Sequence, residues 1–222
     1  MEKFTEKFRQ KDIEIKDGRI NQRADRGFDL VAERFAEALG DRCAGADKAF
    51  LRKRLFLRNF YYLRELDLRY ILENRFWERS YNLEIRSEVE TDESFREVGD
   101  CLFAVDAKGW LRVRGVEWKY VRGSLSEEQR RQYVERLNHP LILDRVRALD
   151  LSRVCVEHQA GSGKWLIQTG SILGSTTWVL IPPVLQTIQP KPAEFVKLAE
   201  FFDLTADAVV NNRSETQGEL PS

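Results

Sequence analysis

Apolar and polar positions follow two different periods along this chain, and the period switches several times. Phe28, Val31, Phe35 and Leu39 recur at helical spacing, and Gly40 follows as a natural C-terminal cap. From about Asp47 to Arg79, the residues Leu51, Leu55, Phe60, Leu63, Leu66, Tyr70 and Phe76 fit a second, longer helix, with Trp77 near its end. Its apolar residues wrap most of the circumference, which predicts a central helix covered on several sides, with room for a break near Asn59. Tyr81 to Glu90 sets Leu83, Ile85 and Val89 among charges, as a half-exposed strand does. Val98 to Gly123 reads as a hairpin, two extended segments around a turn at Asp106-Ala107-Lys108-Gly109.

Ser124-Leu125-Ser126-Glu127-Glu128 then opens a helix with a capping signal. It runs to about Leu137, where Asn138-His139-Pro140 breaks it, and a short helix from Leu141 to Leu149 follows. Ser152 to Gln159 is a strand with Val154 and Val156 on one face, and Ala160-Gly161-Ser162-Gly163 is a hairpin turn. Lys164 to Thr169 returns as its partner, and Ser175 to Ile181 is a further strand after Gly174. Pro182, Pro183, Pro190 and Pro192 punctuate the chain before an amphipathic helix from Ala193 to Phe202.

Residues 1–26 read as a polar N-terminal arm, 27–210 as a single domain and 211–222 as a disordered polar tail. The predicted class is α+β: an antiparallel or mixed sheet built from two hairpins plus extra strands, packed against several helices. Short hairpin turns favour this arrangement over a doubly wound parallel sheet.

Composition narrows the function. Of 222 residues, 42% are hydrophobic and 32% charged, as in a globular body with a charged surface. Lys+Arg and Asp+Glu both number 36, and a net charge of zero argues against general polyanion binding. Cys43, Cys101 and Cys155 are isolated, and His139 and His158 are the two histidines. Neither a disulfide framework nor a structural zinc site is expected, and a reducing cytoplasm fits. The charged N-terminus has no apolar signal-peptide core, and no apolar run approaches a membrane span, so no membrane partner is expected.

The chemistry-bearing motifs are few. Gly161-Ser162-Gly163-Lys164 departs from a phosphate loop at two positions: His158 stands where the first glycine belongs and Trp165 where a Ser or Thr would hold Mg²⁺. No nucleophile elbow accompanies the two histidines. What remains is Asp100 on one strand of the first hairpin and Glu117-Trp118-Lys119 on the next. Two carboxylates can bind Mg²⁺, and a neighbouring lysine can orient the attacking water of a phosphodiester cleavage. Glu117 and Lys119, two apart on a strand, share a face.

On Gly99-Asp100, the turn Asp106 to Gly109 and Val116-Glu117-Trp118-Lys119, the chain resembles the PD-(D/E)xK nuclease superfamily over about Glu65 to Lys119. The resemblance implies a Mg²⁺-dependent nuclease or nuclease-derived nucleic-acid-binding protein, with Asp100 and Glu117 as metal ligands and Lys119 as the catalytic lysine. Glu65 would be the assisting upstream glutamate, with Glu73 as its substitute.

Arg54, Arg58, Arg69 and Arg75, interleaved with aromatics, fall on one broad half of the expected long helix and form a candidate partner- or nucleic-acid-binding surface. In the absence of a strong catalytic constellation, the leading expectation is a soluble cytoplasmic protein without a cofactor. It acts as a non-catalytic protein-interaction or assembly factor that binds another protein or itself. The nuclease is the alternative.

Overall fold

The structure, a computed structural model, describes residues 18–91, 98–108, 115–149, 151–179 and 184–211. Helix α1 (Arg19–Leu39) buries one stripe, Asn21, Ala24, Phe28, Val31, Ala32, Phe35 and Leu39. It begins inside the span expected to be an arm. Asn21 is the reason: it is buried, and its carbonyl oxygen accepts from Tyr81 Oη at 2.5 Å and Arg79 Nη1 at 3.2 Å. The helix closes as its sequence predicts, with the Gly40 N–H donating to the carbonyls of Ala36 and Glu37.

Between Asp47 and Arg79 the structure corrects the sequence reading. There is no long helix. The segment forms β1 (Cys43–Ala49), β2 (Arg52–Leu57), β3 (Glu65–Asn74) and the start of β4 (Glu78–Glu90). Leu55 and Leu57 on β2, and Leu66, Leu68 and Tyr70 on β3, alternate inward with period two. The apolar circumference of the supposed helix is two strand faces laid end to end. The turns were hidden because residues 47–79 contain no glycine or proline. The β1–β2 turn uses Leu51 at φ 53°, and the β2–β3 loop uses Asn59 at φ 61°.

The remaining elements are β5 (Cys101–Lys108), β6 (Gly115–Gly123), α2 (Glu127–Leu137), α3 (Pro140–Ala148), β7 (Leu151–His158), β8 (Lys164–Val179), β9 (Val184–Thr187) and α4 (Pro192–Val210). Most of them lie close to their predicted places, but β9 forms in the proline-punctuated stretch where no strand was expected, and α4 runs on to Val210, past its predicted end at Phe202. Ser126 caps α2 with Gln129 in a reciprocal capping box. The first hairpin pairs on past Asp106 to Lys108↔Gly115, so Asp106 to Lys108 belong to the strand and not to a turn, and the connection at 109–114 lies outside the described residues. The two strands expected at Lys164–Thr169 and Ser175–Ile181 are one strand with a bulge, its last two predicted residues lying outside the described ones.

All described strands form one antiparallel sheet in the order β1-β2-β3-β4-β8-β7-β5-β6, with β9 also on β8. The first part of β8 pairs with β7 and its last part with β9. The exchange occurs at the bulge around Gly174, where φ is +84° and an added Cβ would meet Leu83 Cδ2 at 2.7 Å.

The helices cover one face of this sheet. Phe28 of α1 stacks on Tyr70 at 4.1 Å, and Tyr133 of α2 packs on Trp165 at 5.3 Å. Helix α4 touches α1, α2, α3 and β8. It is therefore buried on several sides, through Phe195, Leu198, Phe201, Phe202, Ala206 and Val209, and is the centre of the core. The architecture is a single α+β domain with a one-sided helical layer.

Candidate functional site

The acidic residues singled out in the sequence do not meet. Asp100 precedes Cys101, which pairs with Gly123, whereas Glu117 lies six residues back along β6, about 20 Å away at the usual strand rise. Glu65 and Glu73 are on β3, separated from β6 by four strands, or about 24 Å. Each has a local partner. Asp100 Oδ1 accepts from the Ala160 N–H at 2.6 Å. Glu65 lies 3.9 Å from Arg54, and Glu73 takes Arg153 at 3.4 Å. The acid that does lie opposite Glu117 is Asp106, the two being paired across the hairpin. Lys119 Nζ bridges them, 2.7 Å from Asp106 and 3.7 Å from Glu117, and its pKa is raised mainly by the Asp106 bond. All three side chains are about half exposed on the helix-free face. Such cross-strand pairs contribute little to stability. The expected set Asp100, Glu117, Lys119 and Glu65 therefore does not fit one Mg²⁺ centre, and among the described residues no group of three or more His, Cys, Asp or Glu could hold a metal.

Gly99-Asp100 instead forms a junction. The Ser124 N–H donates to Asp100 O at 2.8 Å. A side chain at Gly99 would strike Ser124 Oγ at 2.2 Å, and one at Gly123 would strike Asp100 O at 2.0 Å. His158 closes the junction from β7, its Nδ1 3.2 Å from Gly99 O, with the ring against Trp165. Burial lowers its pKa, against the opposing effect of Gly99 and Asp100. Burial also pushes the Cys101 and Cys155 thiols up to about 12, so neither is a nucleophile at neutral pH.

The four arginines do not share a face. Arg54 and Arg69 are on strands of the helix-free face, Arg69 donating to Asp67 at 2.5 Å. Arg58 and Arg75 lie at opposite ends of the sheet, beyond the end of β2 and the end of β3 respectively. The helical surface expected of them does not exist, because the segment is not helical.

A feature the helical reading concealed is the β2–β3 loop, residues 58–64. Its backbone is held throughout. The carboxylate of Asp203 on α4 accepts from the N–H groups of Tyr61, Tyr62 and Leu63 at 3.2, 2.8 and 3.1 Å. Arg64 donates to the carbonyls of Phe60 and Tyr61, and Arg58 Nε to that of Asp41. Phe60 plugs into the core under the Arg42 guanidinium, 5.2 Å from its ring centre. Tyr62 Oη donates to Asn211 at 3.0 Å. On this fixed frame the Tyr61 ring is 86% exposed, flanked by the exposed Arg58 and Arg64. Fixed backbone with an exposed aromatic and two arginines is the makeup of a binding hot spot. The sequence signal was the run Phe60-Tyr61-Tyr62 between Arg58 and Arg64.

The model of one protein family, described as a protein of unknown function (DUF3156), matches residues 33–209. The chain belongs to this family. The matched span runs from the middle of α1 almost to the end of α4 and holds the whole sheet, the Tyr61 loop and its Asp203 anchor. No curated protein and no solved structure matches the chain.

The helix-free face of the sheet is the other large polar surface. Asp67 is 7% exposed and takes both nitrogens of the Arg52 fork at 2.7 and 3.0 Å, along with Arg69. Burial raises the Asp67 pKa, but the bonds from Arg52 and Arg69 outweigh it, and the carboxyl titrates below its ordinary value. Gln168 donates to Glu84 at 2.7 Å beside this pair. The face is stitched together internally and offers few open groups to a ligand.

Proposed function

We propose that this member of the family is a non-catalytic protein-interaction or assembly factor of the cytoplasm, and that the Tyr61 loop is its contact element. The observation that carries this reading is the contrast at Tyr61: an almost fully exposed ring on backbone whose N–H groups are bound by Asp203. An ordered loop loses little entropy when a partner seats on it, so its aromatic contact area goes directly into affinity. Arg58 and Arg64 suit a partner surface with an apolar pocket and carboxylates at its rim. The dispersal of Asp100, Glu117, Lys119 and Glu65 supports the non-catalytic side of the reading.

The test is quantitative affinity capture from the source cells with the wild-type chain, Tyr61→Ala and Arg64→Ala, together with Glu117→Ala. A protein retained by the wild type and by Glu117→Ala, and reduced at least about tenfold by Tyr61→Ala, is the expected result. Equal recovery on the wild type and Tyr61→Ala would remove the loop from the interface.

A further inference from the structure

The β3–β4 connection breaks a local rule without a compensating contact among the described residues beyond the two rings themselves. It is a two-residue hairpin turn: the Arg75 N–H donates to Glu78 O at 2.7 Å and the Glu78 N–H to Arg75 O at 3.3 Å, leaving Phe76 and Trp77 at the corners. Turns of this length favour Asn-Gly or Gly at the corners and positive φ, because that backbone twist matches the strands. Here two large aromatics stand there, and neither has a positive φ. Their rings meet edge to face at 4.4 Å and are 84% and 57% exposed. The hairpin would close better with small residues, so what the rings contribute lies outside the folded monomer.

The surroundings indicate what they meet. Glu78 pairs with Val179, and Val179 with Val184, so the exposed Val184 stands at the same end of the sheet. The first turn of α1 is docked there too, through Asn21 to Arg79 and Tyr81. Arg19 and Arg23, either side of Asn21, are exposed and form no ion pair with other described residues. Arg75 is 70% exposed, and Glu73, at 4.0 Å, is its one ion-pair partner among the described residues. Of the described carboxylates flanking the turn, Glu73 also meets Arg153 at 3.4 Å, and Glu78 accepts from the neutral Ser80 Oγ and keeps its charge. Protruding apolar rings thus stand at an end of the sheet where, among the described residues, Arg19, Arg23, Arg75, Arg79 and Arg153 outnumber Glu73 and Glu78, although the whole chain is neutral.

From this we infer that the Phe76–Trp77 turn docks the protein on the surface of a bilayer containing anionic phospholipid. The rings would enter the interfacial zone, where Trp is favoured, while Arg75, Arg19 and Arg23 meet the phosphates. A protruding pair of rings suits this partner because a bilayer needs no preformed pocket to receive them. No described helix is long and apolar enough to cross a membrane, and docking of this kind requires no span. It uses the opposite end of the sheet from the Tyr61 loop, so either proposal can fail without the other.

The experiment is co-sedimentation of the full chain with phosphatidylcholine vesicles, pure or containing about 30% phosphatidylglycerol. Binding at least about tenfold tighter to the anionic vesicles, weakened by salt, is expected. The double variant Phe76→Ser, Trp77→Ser should lose at least about tenfold of that affinity. Arg75→Glu should weaken binding to the anionic vesicles alone. Both variants change exposed side chains, and unchanged thermal melts would show that they fold. Absence of vesicle binding, or binding undiminished in the double variant, overturns the inference. So does a wild type that self-associates through the turn, as judged by sedimentation of the double variant, without binding vesicles.

Discussion

The side-chain amide of Asn138 completes the open edge of the sheet at Trp118. Its Oδ1 accepts from the Trp118 N–H at 2.8 Å and its Nδ2 donates to the Trp118 carbonyl at 3.1 Å, so it pairs as a neighbouring strand would. The same Nδ2 also donates to Val134 O at 2.9 Å, tying the end of α2 to β6. Trp118 itself is fully buried. Asn138→Ala should cost about 1–3 kcal/mol in denaturant unfolding, because it leaves a buried N–H without a partner. The exposed edge should also raise aggregation, measured by light scattering. Asn138→Asp keeps the acceptor and loses the donor, and should fall between the two.

Asp203 should prove the anchor of the Tyr61 loop. Asp203→Ala removes the acceptor of three backbone N–H groups, and a cost of about 2–3 kcal/mol is expected. Amide exchange at Tyr61, Tyr62 and Leu63 should speed up more than exchange in β3. Uniform acceleration across the domain would show that the carboxylate holds the fold and not the loop.

Lys53 is buried to 2% exposure beneath α1, between Asp25 at 2.8 Å and Asp29 at 2.9 Å, with the Phe28 ring centre 5.5 Å away. The aspartates are 20% and 33% exposed, so the desolvated partner is the lysine. The double change Asp25→Asn, Asp29→Asn should destabilise by about 3–5 kcal/mol, because a buried cation is left without compensation. Lys53→Met should cost less, since both carboxylates are partly exposed, Asp25 keeps the Leu51 N–H as a donor and the apolar stem packs as before. Equal costs would contradict this asymmetry.

His158 gives the stability a pH dependence of known sign. Its folded pKa lies below the ordinary 6.5, chiefly through burial. Below pH 6.5 the unfolded chain binds the proton first, so stability is full above that value and falls as pH drops toward the folded pKa. His158→Gln should flatten unfolding free energy over that window, whatever it does to stability at neutral pH. An unchanged slope would mean that another group titrates there.

Asp67 acts in a lower window. Its folded pKa is below the ordinary 3.8, so its contribution is present above that pH and is lost as pH falls through the folded value. Asp67→Asn should lower neutral-pH stability by about 1.5–3 kcal/mol and do far less at a pH where the wild-type carboxyl is protonated. Arg52→Ala should reproduce part of the loss, measured by urea unfolding at the two pH values.

Strand β4, the first hairpin, the capped helix α2 and the Ala160–Gly163 turn were legible because each is written locally, in a period of two, a capping box or a glycine turn. The segment from Asp47 to Arg79 was not, because two of its turns rest on Leu51 and the Phe76–Trp77 pair, which carry no turn signal, and the third on Asn59, which alone marks only a break in a helical pattern. Leu51 holds its left-handed backbone because Asp25 accepts its N–H at 2.8 Å from another element. The candidate site failed with that segment: Glu65 and the arginines were placed on a helix, and Asp100 was matched to Glu117 when the register sets Asp106 opposite.

By itself the sequence determined the α+β class, most element boundaries beyond Glu78 and the charge balance, since these depend on local spacing and composition. Tertiary structure decided strand order, which charges meet, and which aromatics stay in water. Those depend on contacts between residues far apart in the chain, such as Asp203 with Tyr61, and local periodicity carries no record of them.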